Sequence, residues 1–156
     1  MPVSPDTSPD PAAGRTVVVG YDGSPAARAG LEFAADRADP RGTVVVVHSY
    51  ALPPDFLGMP TSEEMLIERQ RHGAAVLDAI PLEGSELVDV EYITELIGGP
   101  PAEAIVAVAK ARHADEIVVG SRGFSRLRAA LGSTSHEVLH LADRPVVVIP
   151  QAALED

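Results

Sequence analysis

Two kinds of apolar pattern alternate along the chain. The first is the short continuous run: Val17-Val18-Val19 within residues 16–20, Val44-Val45-Val46-Val47 within 43–50, Ile117-Val118-Val119 within 115–120, and residues 146–149 fenced by Pro145 and Pro150. Runs of β-branched residues without polar alternation are strands covered on both faces. Residues 87–94 alternate instead, Val88, Val90 and Tyr92 against Asp89, Glu91 and Ile93, which predicts a half-buried edge strand.

Between the runs the apolar positions recur at helical spacing. Ala27, Leu31, Ala34, Ala35 and Ala38 form one stripe that stops at Pro40 and Gly42, with Ser24 placed to cap and Pro25 at the first helical position. Thr61 and Glu64 have the spacing of a capping box and open a helix through Leu66, Ala74, Val76 and Leu77 to Pro81. Gly98-Gly99-Pro100-Pro101 breaks the chain before a helix over 102–111, faced by Ile105, Val106, Val108 and Ala109. A last helix spans 134–141, with Leu131, Val138, Leu139 and Ala142 expected toward the sheet and His136, His140 and Asp143 toward solvent.

Strands alternating with helices predict a doubly wound, five-stranded parallel α/β sheet with right-handed crossovers and helices on both faces. At 156 residues the chain is about one domain, placed at 15–150. Residues 1–14 carry Pro2, Pro5, Pro9 and Pro11 and almost no apolar content, so a disordered tail is expected there, with a short C-terminal tail at 151–156. The proline-containing linker 51–60 leaves the carboxyl end of a strand, where a lid or a plain surface loop would sit.

Charge changes this picture at one place. The net charge is 12 − 23 = −11, yet Arg122, Arg126 and Arg128 fall between Gly120 and Gly132 with no acidic residue among them. Gly120 and Gly123 let backbone approach a ligand, and Gly132-Ser133-Thr134-Ser135 offers hydroxyls and free N–H groups at a helix start. A small anion, phosphate first, fits that local reversal of sign. Asp22 ends the first strand, where it could meet a ligand or Mg²⁺, or cap the helix that follows.

The stretch from Gly120 to Ser135 resembles the G-x-x-G…G-[ST] nucleotide loop of the universal stress protein family. Residues 17–24 look like that family's first strand and aspartate, and residues 143–149 like its last strand. The resemblance implies strand order 3-2-1-4-5, which brings Asp22 and Gly120 to one switch point. It also implies ATP, with Mg²⁺ as a possible companion, contacted by Gly20, Tyr21, Asp22, Ser49, Gly120, Ser121, Arg122, Gly123, Arg126, Gly132, Ser133, Thr134 and Ser135. Adenine would lie near Ser49 and Asp22, ribose near Gly120, and phosphates by Gly123, Gly132, Ser133 and Thr134. Eight residues separate Gly123 from Gly132, where the family's nucleotide-binding members have nine. A cyclic AMP sensor, a slow Mg-dependent ATPase using Asp22, and an interaction scaffold without nucleotide therefore stand as alternatives.

The last strand should be a sheet edge, an aggregation liability unless covered; pairing of that edge across two copies resembles how family members form homodimers. A regulatory module in stress response, read by another protein, is the function the resemblance implies. The acidic balance argues against nucleic acid as partner. Zero cysteines exclude thiol catalysis and thiolate metal sites, and no apolar run approaches about 20 residues, so no membrane partner and a cytoplasmic location are expected.

Other catalytic readings are thin. His136-Glu137-Val138-Leu139-His140 spells H-E-x-x-H, but a zinc protease needs a third ligand in a cleft and little chain remains to build one. Lys110 is the only lysine and follows Ala109, so there is no P-loop, and no G-x-G-x-x-G is present. Binding without rapid turnover is the expectation, with no catalytic residue assigned and no resident metal.

Overall fold

The computed structural model describes residues 14–38, 40–52, 62–80, 90–121 and 131–150. The elements run β1 (Thr16–Gly20), α1 (Pro25–Ala38), β2 (Thr43–Tyr50), α2 (Glu63–Asp78), β3 (Glu91–Gly98), α3 (Pro101–Ala111), β4 (Glu116–Gly120), α4 (Ser133–Leu141) and β5 (Val146–Ile149). The strands form one parallel sheet in the order β3-β2-β1-β4-β5. The fold class read from the sequence and the order 3-2-1-4-5 implied by the resemblance are therefore those observed.

The valine runs are explained by two cores, one on each face of the sheet. Val17, Val19, Val44 and Val46 join Leu31, Ala34 and Leu77 of α1 and α2 on one face. Val18, Val45, Val47, Ile117 and Val119 join Ile105, Val108 and Val138 of α3 and α4 on the other. Successive residues of a strand point to opposite faces, so a strand packed on both sides needs an apolar residue at every position.

The amino ends of β1 and β4 are tied by charge. Glu116, 2% exposed, receives the Arg37 guanidinium through two hydrogen bonds of 2.9 and 3.0 Å, with Arg15 at 3.6 Å. These contacts, first the hydrogen bonds from Arg37, hold its carboxyl below the usual glutamate range.

Three expectations are corrected. The strand expected at 87–94 is Glu91–Gly98, because all of β2 pairs with it, Thr43 opposite Glu91 through Tyr50 opposite Gly98, and the partner's length sets its extent. Val90 precedes the strand, and residues 87–89 lie outside the described residues. The cap of α2 is Ser62, whose hydroxyl accepts the Met65 N–H at 3.2 Å; Thr61 is outside the described residues. On α4 the buried residues are Ser135 and Val138, while Leu131 and Leu139 are each 45% exposed, because the helix packs chiefly against α3 rather than flat on the sheet.

The tails at 1–13 and 151–156, and 53–60 of the proline-containing linker, lie outside the described residues. Among the described residues no helix is long and apolar enough to cross a membrane.

Candidate functional site

β1 continues through α1 to its neighbour on one side, and β4 through α4 to its neighbour on the other. Connections that diverge from adjacent strands leave a crevice beyond their carboxyl ends. Here it is a cleft of about 390 Å³ floored by Gly20, Tyr21 and Asp22 after β1, Val47, His48 and Ser49 at the end of β2, Gly120 at the end of β4, and Gly132 to Ser135 at the start of α4. Ala27, Pro101, Ile105 and Val119 complete its walls.

Nine of the residues singled out from the sequence thus share one cavity: Gly20, Tyr21, Asp22, Ser49, Gly120, Gly132, Ser133, Thr134 and Ser135. Ser121 stands behind it. Its carbonyl accepts the Gly132 N–H, and its own N–H donates to the Ile149 carbonyl at 2.8 Å. Arg122, Gly123, Arg126 and Arg128 lie outside the described residues.

The chemistry of the floor is mostly backbone. Tyr21 buries its ring in the core and donates its N–H to the Val47 carbonyl at 2.8 Å, so only its main chain faces the cleft. Its carbonyl lies 2.7 Å from Nδ1 of His48. A carbonyl only accepts, so Nδ1 carries the proton and Nε2 is left as an acceptor. This is the satisfied, partly buried histidine.

Asp22 holds the turn that leads into α1. Its Oδ1 accepts the Ser24 N–H at 2.9 Å, while Gly23 takes a left-handed φ of 81° that completes the turn. Ser24 in turn accepts the Ala27 N–H at 3.2 Å, which makes it the cap of α1. The same carboxylate lines the cleft, so the turn fixes where its negative charge sits.

The opposite wall is built to attract negative charge. α4 begins at Gly132, which has no side chain to accept a hydrogen bond from the N–H groups of the first turn. The first N–H groups of a helix have no carbonyl partner within it and meet the positive end of its dipole, an arrangement that binds anions. Ser135, 1% exposed, donates its hydroxyl to the Gly132 carbonyl at 3.0 Å and the Ser121 carbonyl at 3.3 Å, and so holds the turn in shape from behind.

A second cleft of about 520 Å³ continues past Asp22, His48 and Ser49 to Tyr50 and α2, where Arg69 and His72 line it. Arg69 spends one N–H on the Ala51 carbonyl at 2.7 Å. No group of three or more metal-ligating side chains occurs among the described residues. His136 and His140 are exposed on α4, as expected.

Sequence reasoning missed the apolar wall of Ala27, Pro101 and Ile105. Only the first turn of α3, following the Gly99 turn with its φ of 122°, hinted that this helix starts beside the same crevice.

The family model described as "Universal stress protein family" matches residues 14–150. A universal stress protein of Thermus aquaticus is 35% identical over 143 residues, covering 86% of this chain and 98% of that protein. One of Mycobacterium tuberculosis is 30% identical over 138 residues, covering 87% of this chain and 45% of that longer protein. Among solved structures, the universal stress protein from Archaeoglobus fulgidus in complex with dAMP is 29% identical, with a TM-score of 0.55 over 86% of this chain and 97% of that one. The doubly wound fold and its switch-point cleft define a class of α/β protein that takes ligands beyond the carboxyl ends of its strands. This chain belongs to the universal stress protein family.

Proposed function

We propose that the protein is an ATP-binding regulatory module of the stress response. The observation that carries this reading is the pairing, in one cleft of about 390 Å³, of an uncapped helix start at Gly132 with glycine-rich strand ends at Gly20 and Gly120. Cavities of this size suit small metabolites, and the helix start suits a phosphate. The relative from Archaeoglobus fulgidus solved with dAMP supports an adenine nucleotide.

Adenine is assigned to the side of Ser49 and Asp22, ribose to Gly120, and phosphates to Gly132, Ser133 and Thr134, with Ser121, Arg122, Gly123 and Arg126 on the phosphate side. Asp22 is the carboxylate that an accompanying Mg²⁺ would meet. Pairing of the Val146–Ile149 edge between two copies is part of the same proposal, since β5 ends the sheet and its side chains are only partly buried. Nucleotide state would then be read by a protein partner through the dimer.

The test is mass spectrometry of small molecules released on denaturing freshly purified protein, followed by calorimetric titration with ATP, AMP and cyclic AMP. Co-purifying ATP or AMP and tightest binding of ATP support the proposal. Preference for cyclic AMP makes the chain a cyclic-nucleotide sensor, and binding of none makes it a scaffold; either result overturns it.

A further inference from the structure

His136 and His140 stand one turn apart on α4, outside the nucleotide cleft. Their rings meet edge to face, with centroids 4.6 Å apart and planes at 78°, and the two Nε2 atoms lie 3.2 Å from each other. Both side chains are exposed. Two neutral imidazoles in this pose share one hydrogen, the N–H of one ring pointing at the lone pair of the other.

The same separation has a second meaning. Two imidazoles on one metal ion, each at roughly 2.0–2.1 Å, hold their nitrogens about 2.9–3.4 Å apart for bond angles between square and tetrahedral. The observed 3.2 Å falls inside that window, so once the donor ring's proton has moved through solvent from Nε2 to its own Nδ1, both Nε2 lone pairs can hold one ion at this spacing. The geometry assigns His136 and His140 as a two-nitrogen chelate for a divalent transition-metal ion that favours imidazole, with water in the remaining positions.

The donor set selects the class of ion. Neutral nitrogen ligands suit Cu²⁺, Ni²⁺ and Zn²⁺ and disfavour Mg²⁺ and Ca²⁺, which want oxygen. Among the described residues no third ligating side chain joins the pair, so the site is open and exposed rather than the closed centre of a protease. The chelate would also bridge the span of one helical backbone hydrogen bond. It would stiffen the helix whose first turn, Ser133 to Ser135, lines the cleft.

Equilibrium dialysis of the full, untagged chain against Ni²⁺ tests the assignment, with Cu²⁺ electron paramagnetic resonance to count the bound nitrogens. Wild type is expected to hold one equivalent with two nitrogen ligands, Cu²⁺ tighter than Ni²⁺. His136→Ala and His140→Ala, whose folding is checked by circular dichroism, each lose it. His72→Ala, which removes an exposed histidine elsewhere, keeps it. Absence of bound metal in wild type, or binding undiminished in His140→Ala, overturns the assignment.

Discussion

Nδ1 of His48, at the end of β2, donates to the carbonyl oxygen of Tyr21, just past β1, across 2.7 Å. The Tyr21 N–H meanwhile donates to the Val47 carbonyl. Both polar groups of the Tyr21 main chain are therefore satisfied by β2, and the floor of the cleft is fixed before any ligand arrives. A rigid floor means that little ordering entropy is left to lose on binding.

His48→Phe keeps the ring's bulk and removes its donor. The partly buried Tyr21 carbonyl then lacks its partner, at a cost of about 1–2 kcal/mol. For a domain of this size that lowers Tm by roughly 2–4 °C per kcal/mol, measurable by circular dichroism. His48→Asn, whose amide N–H hangs from Cγ as Nδ1 does, should fall between. Equal stability of wild type and His48→Phe would show that the bond contributes nothing.

Glu116 and Arg37 govern the acid side of stability. The carboxyl is held below its ordinary range by the Arg37 hydrogen bonds, then by the charges of Arg37 and Arg15. It binds its proton less tightly folded than unfolded, so its contribution is complete above the ordinary glutamate pKa and fades as pH falls through the lower folded value. Arg37→Met should lower stability at pH 7, because it leaves the buried Glu116 carboxylate without its main partner. Urea unfolding at pH 7 and pH 3 checks this: the gap between wild type and Arg37→Met narrows at the lower pH. A gap that stays constant would place the effect in packing instead.

What was legible in the sequence follows from which forces act locally. Val17 to Val19 and Val44 to Val47 announce strands because burial on both faces leaves no room for a polar residue. β3 was misplaced because its second half holds Glu95, tolerated there by an ion pair of 2.6 Å to Arg112 on the turn after α3. That partner lies 17 residues away, beyond any local pattern. Ser135 is buried where Leu139 was expected because its hydroxyl ties Gly132 to Ser121, a demand of the site and not of amphipathicity. The floor of the cleft was readable from strand ends, since topology alone sends them to one place. Ile105 was not, because an apolar residue on a helix looks the same whether it faces a core or a ligand.

Ser135→Ala tests whether the α4 turn is held from behind. The hydroxyl is buried and serves the Gly132 and Ser121 carbonyls, so its loss should cost about 1 kcal/mol in thermal unfolding. Under the proposed function it should also weaken ATP binding in calorimetry, because the N–H groups of the turn are no longer held in place. Ser133→Ala, on the exposed side of the same turn, should leave stability within about 0.5 kcal/mol of wild type. Equal losses in the two variants would sink the distinction.

The two cleft glycines respond differently to one added methyl group. At Gly20 a Cβ would come within 2.6 Å of Ile105 Cδ1, the end of a flexible side chain. At Gly120 it would come within 2.8 Å of Ala26 Cβ and 3.3 Å of the Ala26 carbonyl carbon, so α1 itself must shift. That shift would drag the Asp22 turn, because Ser24, bonded to Asp22, is the cap of α1. Gly20→Ala should therefore cost under about 1 kcal/mol, and Gly120→Ala about 1–3 kcal/mol. Shortening the obstructing side chain separates the causes. Ile105→Val combined with Gly20→Ala should be less damaging than the sum of the single variants, since the two residues share one contact. The same Ile105→Val should add to Gly120→Ala with no recovery, because the neighbour in the way there is Ala26, whose Cβ moves only with the helix backbone. Chemical denaturation of wild type and the five variants decides the matter, and recovery in the Gly120 pair would mean that α1 yields more readily than its close packing on β4 implies.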